Sequence, residues 1–100
     1  MKIHELKIHP VFFEDAKTLK KNFEVRKNDR SYSVGDVIFL REWHPDGYFT
    51  GRVTVGREIR YILSSSEFLQ PGYVVLGLRS SGHLYKRKNP TTNPTNKKRT

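Results

Sequence analysis

Lys21-Asn22-Phe23-Glu24-Val25-Arg26-Lys27-Asn28-Asp29-Arg30 reads as a short strand running into a turn, with charges of both signs crowded onto it. Across residues 22–27 the alternation sends Phe23 and Val25 to one face and Glu24 and Arg26 to the other. A carboxylate and a guanidinium therefore stand side by side. Asn28-Asp29 supplies the turn, because such side chains bond their own backbone. The charged face has two readings. One is a solvated surface pair, which contributes little to stability. The other is a ligand site: Glu24 accepts from a base amino or imino group, Arg26 offers a planar fork to a carbonyl or phosphate, and Lys21 adds a point charge.

Upstream of this stretch, residues 2–8 read as a first strand, half-buried through Ile3, Leu6 and Ile8, with the alternation broken between Ile3 and Leu6. Pro10 fits the first position of a helix. Glu14 and Asp15 lie toward the positive end of that helix, and Lys17, Lys20 and Lys21 toward its negative end. Phe12, Phe13, Ala16 and Leu19 recur at helical spacing and predict one apolar face, laid on a sheet or over the mouth of a barrel.

Downstream, Ser33-Val34-Gly35-Asp36 turns into a third strand, residues 37–43. Its Val37, Phe39 and Trp43 alternate with Ile38 and Leu40, so both faces of its first half are covered and it is predicted to be central. Pro45-Asp46-Gly47 predicts a hairpin. Residues 52–63 supply the partner, with Val53, Val55, Ile59, Tyr61 and Leu63 on one face and Arg52, Thr54, Glu58 and Arg60 on the other. Gly56 marks a bulge or bend in it. Residues 64–70 form a polar loop or a single helical turn, pinned by Phe68 and Leu69. Pro71-Gly72 leads into a last strand, residues 73–78, apolar on both faces and so central or barrel-closing. The sum is a mainly β, α+β domain: a small, partly closed β-barrel of about five strands with the helix over one opening. A ligand would sit at the rim, beside Lys21.

The chain has 100 residues, 35% hydrophobic, and no cysteine. That length holds one domain with a small core, and the missing thiols exclude a disulfide framework and thiolate metal sites. The opening Met1-Lys2-Ile3-His4-Glu5 has no apolar signal core, and no run is long enough to span a membrane, which predicts a soluble cytoplasmic protein. His4, His9, His44 and His83 match no metal-ligand spacing and read as surface residues, so neither a metal nor a cofactor is expected. The net charge is +9. Six of the 19 basic residues (Lys86, Arg87, Lys88, Lys97, Lys98 and Arg99) and none of the 10 acidic ones fall in residues 86–100. Residues 80–100 have too little apolar content to bury anything and are predicted to be a disordered basic tail behind a domain at 1–79. Such a tail suits a polyanionic partner.

The run Leu19-Lys20-Lys21-Asn22-Phe23-Glu24-Val25-Arg26, then Lys27 to Arg30, Val34-Gly35-Asp36-Val37, Leu40-Arg41-Glu42-Trp43 and the final Gly72 to Leu78 together resemble an ASCH domain. More closely, they resemble a small uncharacterised family of bacterial and phage proteins that contain little else. The resemblance covers residues 1–79. It implies a fold similar to the PUA domain, a β-barrel with a helix over a cleft, and RNA binding. The ASCH signature Gly-x-Lys-x-x-Glu-x-Arg is matched by Lys21, Glu24 and Arg26, while Leu19 stands at the glycine. A leucine there predicts a helix that runs on further or ends without a left-handed cap. One ASCH-like branch hydrolyses the amide of acetylated cytidine, using a lysine and a threonine three residues later. Glu24 occupies that place here, and a carboxylate does not replace a hydroxyl nucleophile whose proton a lysine removes.

Binding without catalysis is therefore the reading the resemblance favours. Lys21, Glu24, Arg26 and Arg30 would line a cleft for one base or nucleotide of RNA, a modified base included. Arg41, Arg52, Arg60 and the tail would hold phosphates, and Trp43, Tyr48 or Phe49 would stack on a neighbouring base. For Trp43 core packing is the other reading. The alternative is a small nucleoside-processing hydrolase in which Lys21 and Glu24 do acid and base work and Thr50 or Thr54 supplies a hydroxyl. Nothing in the sequence speaks for or against a protein partner.

Overall fold

The computed structural model describes residues 1–65 and 67–79; the basic tail and its predicted disorder lie outside the described residues. Seven elements follow in order: β1 (Ile3–Ile8), α1 (Pro10–Lys17), β2 (Phe23–Lys27), β3 (Val37–His44), β4 (Tyr48–Val53), β5 (Arg57–Leu63) and β6 (Tyr73–Arg79). The fold is mainly β with one short helix. All six strands belong to one sheet, in the order β1-β3-β5-β6-β2, with β4 hydrogen-bonded to β3 off that path. β1 runs parallel to β3 and the other pairs are antiparallel. β3 and β6 are flanked by strands on both sides, as their two apolar faces predict. The sheet is open, however, and has six strands where five and a partly closed barrel were expected. β1 and β2 end the path without pairing to each other.

The extra strand arises because residues 52–63 do not form one strand. β4 pairs with the end of β3, through Arg41↔Val53 and Trp43↔Phe49, and β5 pairs with its start, through Val37↔Glu58 and Ile38↔Arg57. Thr54 fills the gap between them. Its amide donates to the Leu40 carbonyl at 3.0 Å and its hydroxyl accepts from the Leu40 amide at 3.1 Å, so it is buried rather than on an outer face with Arg52. Gly56 falls in this break. The register shift lies further on, between Ile59 and Tyr61, where Arg60 is the extra residue. Ile59 consequently packs in the core while Tyr61 and Leu63 face outward, which splits the single apolar face expected for them.

β1 turns His4, Leu6 and Ile8 inward and leaves Ile3 exposed. His4 can take the inward place because its Nε2 lies 2.9 Å from Oδ2 of Asp36, itself buried. Asp36 also accepts from the amides of Lys2 at 2.9 Å and Ser33 at 3.0 Å. His4 is thus a core residue and not a surface one. In α1, His9 is the N-cap and its Nδ1 accepts from the Val11 amide at 3.1 Å. Phe13 and Ala16 join Leu6, Ile38, Leu40 and Leu76 in the core. Phe12 is half out, and Leu19 lies past the helix end, so the helix stops short of its apolar spacing. Glu14 and Asp15 sit in its second half, not near its positive end. Phe68 is exposed and Leu69 is half-buried. No helix among the described residues is long and apolar enough to cross a membrane.

Candidate functional site

The chain reaches Lys21 through a left-handed turn. After α1 ends, the Thr18 amide donates to the Glu14 carbonyl at 2.9 Å and the Leu19 amide to that of Ala16 at 3.2 Å. Leu19 then adopts φ +67°, the only non-glycine residue with positive φ among the described residues. The Lys21 amide folds back onto the Asp15 carbonyl at 2.8 Å. The left-handed cap is therefore present with a leucine in it, contrary to the expectation, and it carries a steric cost of about 1–2 kcal/mol.

This turn brings Lys21 over β2. Glu24 is 4% exposed; its Oε2 accepts from Lys21 Nζ at 2.5 Å and its Oε1 from Arg26 Nε at 3.1 Å and Nη2 at 3.0 Å. Lys21 Nζ also donates to the Phe23 carbonyl at 2.7 Å. β2 is inverted relative to an ordinary half-buried strand: Phe23 and Val25 are about half exposed while the charged face turns inward. The surface-pair reading fails on this burial. An unpaired buried carboxylate costs several kcal/mol, and two cations with three hydrogen bonds remove that cost. They do not make the trio better for stability than packed apolar side chains of the same volume.

Arg26 Nη2 also donates to the main-chain carbonyl of Lys7, at the end of β1. The unjoined edges of the sheet thus meet through a side chain. Around that seam lies a cleft of about 380 Å³, lined by Lys7, Ile8 and His9 from β1 and its end, Phe12 from α1, Lys21, and residues 23–26. A second hollow of about 260 Å³ adjoins it, lined by Glu5, Leu6, Lys7, Arg26, Arg30, Arg41 and Phe49. Lys7 and Arg26 line both, and the two hollows are together called the trough: one end is apolar with Glu24 at its floor, and the other is lined by Arg26, Arg30 and Arg41 beside Glu5. A larger hollow of about 630 Å³ is lined only by consecutive residues 28–32 and is the concavity of their own turn.

Of the other residues singled out from the sequence, Arg30 and Arg41 line the basic end of the trough. Arg41 also lies 3.6 Å from Glu5 and has its guanidinium 3.7 Å from the centre of the Phe49 ring. Trp43 is half-buried, edge-on to Phe49 at 4.7 Å, with Lys7 Nζ 3.9 Å above its ring, which is a packing role. Tyr48 stacks on His44 at 4.7 Å and lines neither hollow. Arg52 is tied to α1 through Glu14 and the Phe13 ring and lies 3.6 Å from Glu42. Arg60 lines a separate hollow with Asn22, Leu78 and Arg79. Thr50 donates to Glu42 at 2.7 Å and Thr54 is engaged by Leu40, so neither brings a hydroxyl to the trough.

One residue escaped the sequence reading altogether. Arg57 is fully buried beneath the loop that carries Lys21. It donates to Asn22 Oδ1 at 2.7 Å and to the carbonyls of Lys21 at 3.3 Å and Ala16 at 3.5 Å, while its Nε has no partner among the described residues. Burial pushes its pKa below the usual arginine value, and the charge of Glu24 pulls it back up. Its position at the start of β5, just past the break, left no periodicity to betray it. Lys7, His9 and Phe12 were also unforeseen in the cleft; the His9-Pro10 pair, a cap followed by a first-turn proline, was the available signal that this strand end is fixed in place.

The chain is 43% identical over 75 residues to an "Uncharacterized 12.9 kDa protein in GpA 3'region" of Escherichia phage P2. The match takes in 75% of this chain and 66% of that protein, so the chain spans just under two thirds of its relative's length. Residues 3–78 match the family described as a domain of unknown function (DUF3850), and the chain belongs to that family.

Proposed function

We propose that the chain is an ASCH-like module, a PUA-type barrel left open at one seam, which binds one nucleotide of single-stranded RNA, or the free nucleotide, in the cytoplasm. The observation that carries the reading is Glu24: a buried carboxylate, oriented by Lys21 and Arg26, at the floor of a cleft with apolar walls. Such a floor suits the amino and imino edge of a base, and Ile8, Phe12, Phe23 and Val25 suit its faces. Arg30 and Arg41 lie at the end of the trough where a 5′-phosphate would fall. The match of Lys21, Glu24 and Arg26 to the ASCH signature supports the same assignment. Hydrolysis of an acylated base is the weaker reading, because neither candidate threonine reaches the trough.

Calorimetric titration of the full chain with nucleosides and their 5′-monophosphates, acetylated cytidine included, tests this. The expected result is saturable binding of one base class, weakened at least tenfold by Glu24→Gln. Because that substitution also disturbs a buried charge network, Arg30→Ala is the second variant. Arg30 is exposed, and its loss should weaken the monophosphate but not the nucleoside. Absence of saturable binding by any nucleotide overturns the proposal. Release of acetate from acetylcytidine transfers the assignment to the hydrolase.

A further inference from the structure

The outward face of β5, β6 and β2 extends beyond the trough, which takes in only Phe23 and Val25 of it. In register, Phe23 and Tyr61 both stand opposite Gly77, and Val25 and Leu63 both stand opposite Val75. Phe23, Val25, Tyr61 and Leu63 are 48%, 54%, 64% and 36% exposed, on a face where an open antiparallel sheet ordinarily carries polar residues. The bulge at Arg60 is what turns Tyr61 and Leu63 onto it.

Gly77 makes this face flat. Its φ is not in the left-handed region, and a Cβ there would meet Tyr61 Cβ at 3.5 Å, an ordinary contact. The backbone does not require glycine, yet between two aromatic side chains the strand presents none of its own. The border of the patch is mainly cationic: Lys27 follows Val25 on the same face of β2, Arg79 follows Gly77 on the same face of β6 with its Nε 3.9 Å from Glu58 opposite, and Arg60 precedes Tyr61. A second copy of a chain carrying +9 is opposed by its own charge, whereas a polyanion is attracted.

We infer that this face is a stacking platform for single-stranded RNA, with bases on Phe23 and Tyr61 over the bare Gly77 and phosphates toward Lys27, Arg60 and Arg79. The choice of polymer rests on the reading of the trough proposed above. Phe23 borders both sites, so a strand leaving the cleft passes directly onto the platform. Duplex bases are already stacked on one another and gain nothing there.

The test uses the full chain, a short fluorescein-labelled oligouridylate and anisotropy titrations at several salt concentrations. Phe23 is left alone because it also lines the cleft. Tyr61→Ala and Gly77→Val are the variants: the first changes an exposed side chain, and the second adds a β-branched residue whose Cβ meets Tyr61 at ordinary contact distance. Each is expected to weaken binding roughly 5- to 150-fold at every salt concentration, which is the range for losing one base stack. The slope of log K against log salt stays unchanged, because no phosphate contact is lost. Unaltered affinity in both variants overturns the platform. So does sedimentation of the wild type as a dimer and of Gly77→Val as a monomer, which assigns the face to a second copy. If mononucleotide binding remains sensitive to Arg30→Ala while oligomer binding ignores Tyr61 and Gly77, only the platform is wrong. Loss of the mononucleotide response with the oligomer effects intact retires the cleft instead.

Discussion

Arg26, on one edge strand, donates to the main-chain carbonyl of Lys7, on the other, while the same guanidinium holds the Glu24 carboxylate at 3.0 and 3.1 Å. A closed barrel joins its end strands by a backbone ladder. Here one side chain spans the gap, and among the described residues the backbone groups along the free edges of β1 and β2 have no strand partner. Leaving the seam open is what creates the trough, and filling it with Arg26 ties the shape of the trough to the charge at its floor.

Arg26→Lys separates these two duties. An ammonium on a flexible stem can reach Glu24 or the Lys7 carbonyl, but it lacks the rigid fork that serves both. We expect a loss of about 1–2 kcal/mol in urea unfolding, with faster amide exchange confined to β1 and β2. Exchange in β1 indistinguishable from wild type would mean that Arg26 does not hold the seam.

Leu19→Gly should stabilise the protein. The left-handed φ of +67° costs leucine about 1–2 kcal/mol, and glycine returns part of that gain through its freer unfolded chain. A net gain of about 0.5–1 kcal/mol would raise the midpoint of thermal unfolding by a few degrees in a domain of this size. A lowered midpoint would show instead that the Leu19 side chain, about one third exposed, packs more strongly than its backbone is strained.

What the sequence disclosed follows from where its rules hold. β3, β6, the Pro45-Asp46-Gly47 hairpin and the start of α1 at Pro10 were legible because periodicity and turn chemistry act locally. Glu24 and Arg26 were legible as a pair, because spacing along a strand places them together, and Lys21 by its nearness in sequence, though the turn at Leu19 is what brings it over β2. Their burial was not, since the rule that sends charge outward is broken where a carboxylate has two cations of its own. His4 defeated the same rule through Asp36, a partner 32 residues away. The faces of β5 were misassigned because one extra residue at Arg60 reverses everything after it, and nothing local marks a bulge there. The trough was invisible because it depends on two edges failing to pair.

Arg57 offers a sharper test of how Lys21 is positioned. Arg57→Met keeps the bulk of the side chain and removes a buried cation, which by itself is neutral or favourable. It also strips donors from Asn22 Oδ1 and from the carbonyls of Lys21 and Ala16. Each buried acceptor left unpaired costs about 1–3 kcal/mol, so the balance should fall at a loss of about 1–3 kcal/mol. The Lys21 amide should exchange faster as its loop loosens, while amides in β3 slow or hold. A variant as stable as wild type, with Lys21 unchanged, would show that the loop is held by its own turn at Leu19.

Asp36 sets a pH dependence whose sign can be worked out. Burial alone raises a carboxyl pKa; the hydrogen bonds from His4 and from the amides of Lys2 and Ser33 outweigh it and hold Asp36 at about 2, below the ordinary 3.8. A depressed folded-state value means that the stabilisation is complete above the unfolded pKa and is lost as pH falls through the folded one. The window therefore runs from about 4 down to about 2. The shift corresponds to roughly 2 kcal/mol at neutral pH. Other carboxylates titrate in the same range, so the informative quantity is the difference between wild type and Asp36→Asn in urea unfolding. That gap should be constant above pH 4 and should narrow steadily toward pH 2. If it stays constant across the window, the bonds to Asp36 do not depend on its charge, and the cluster beneath β1 is held by geometry alone.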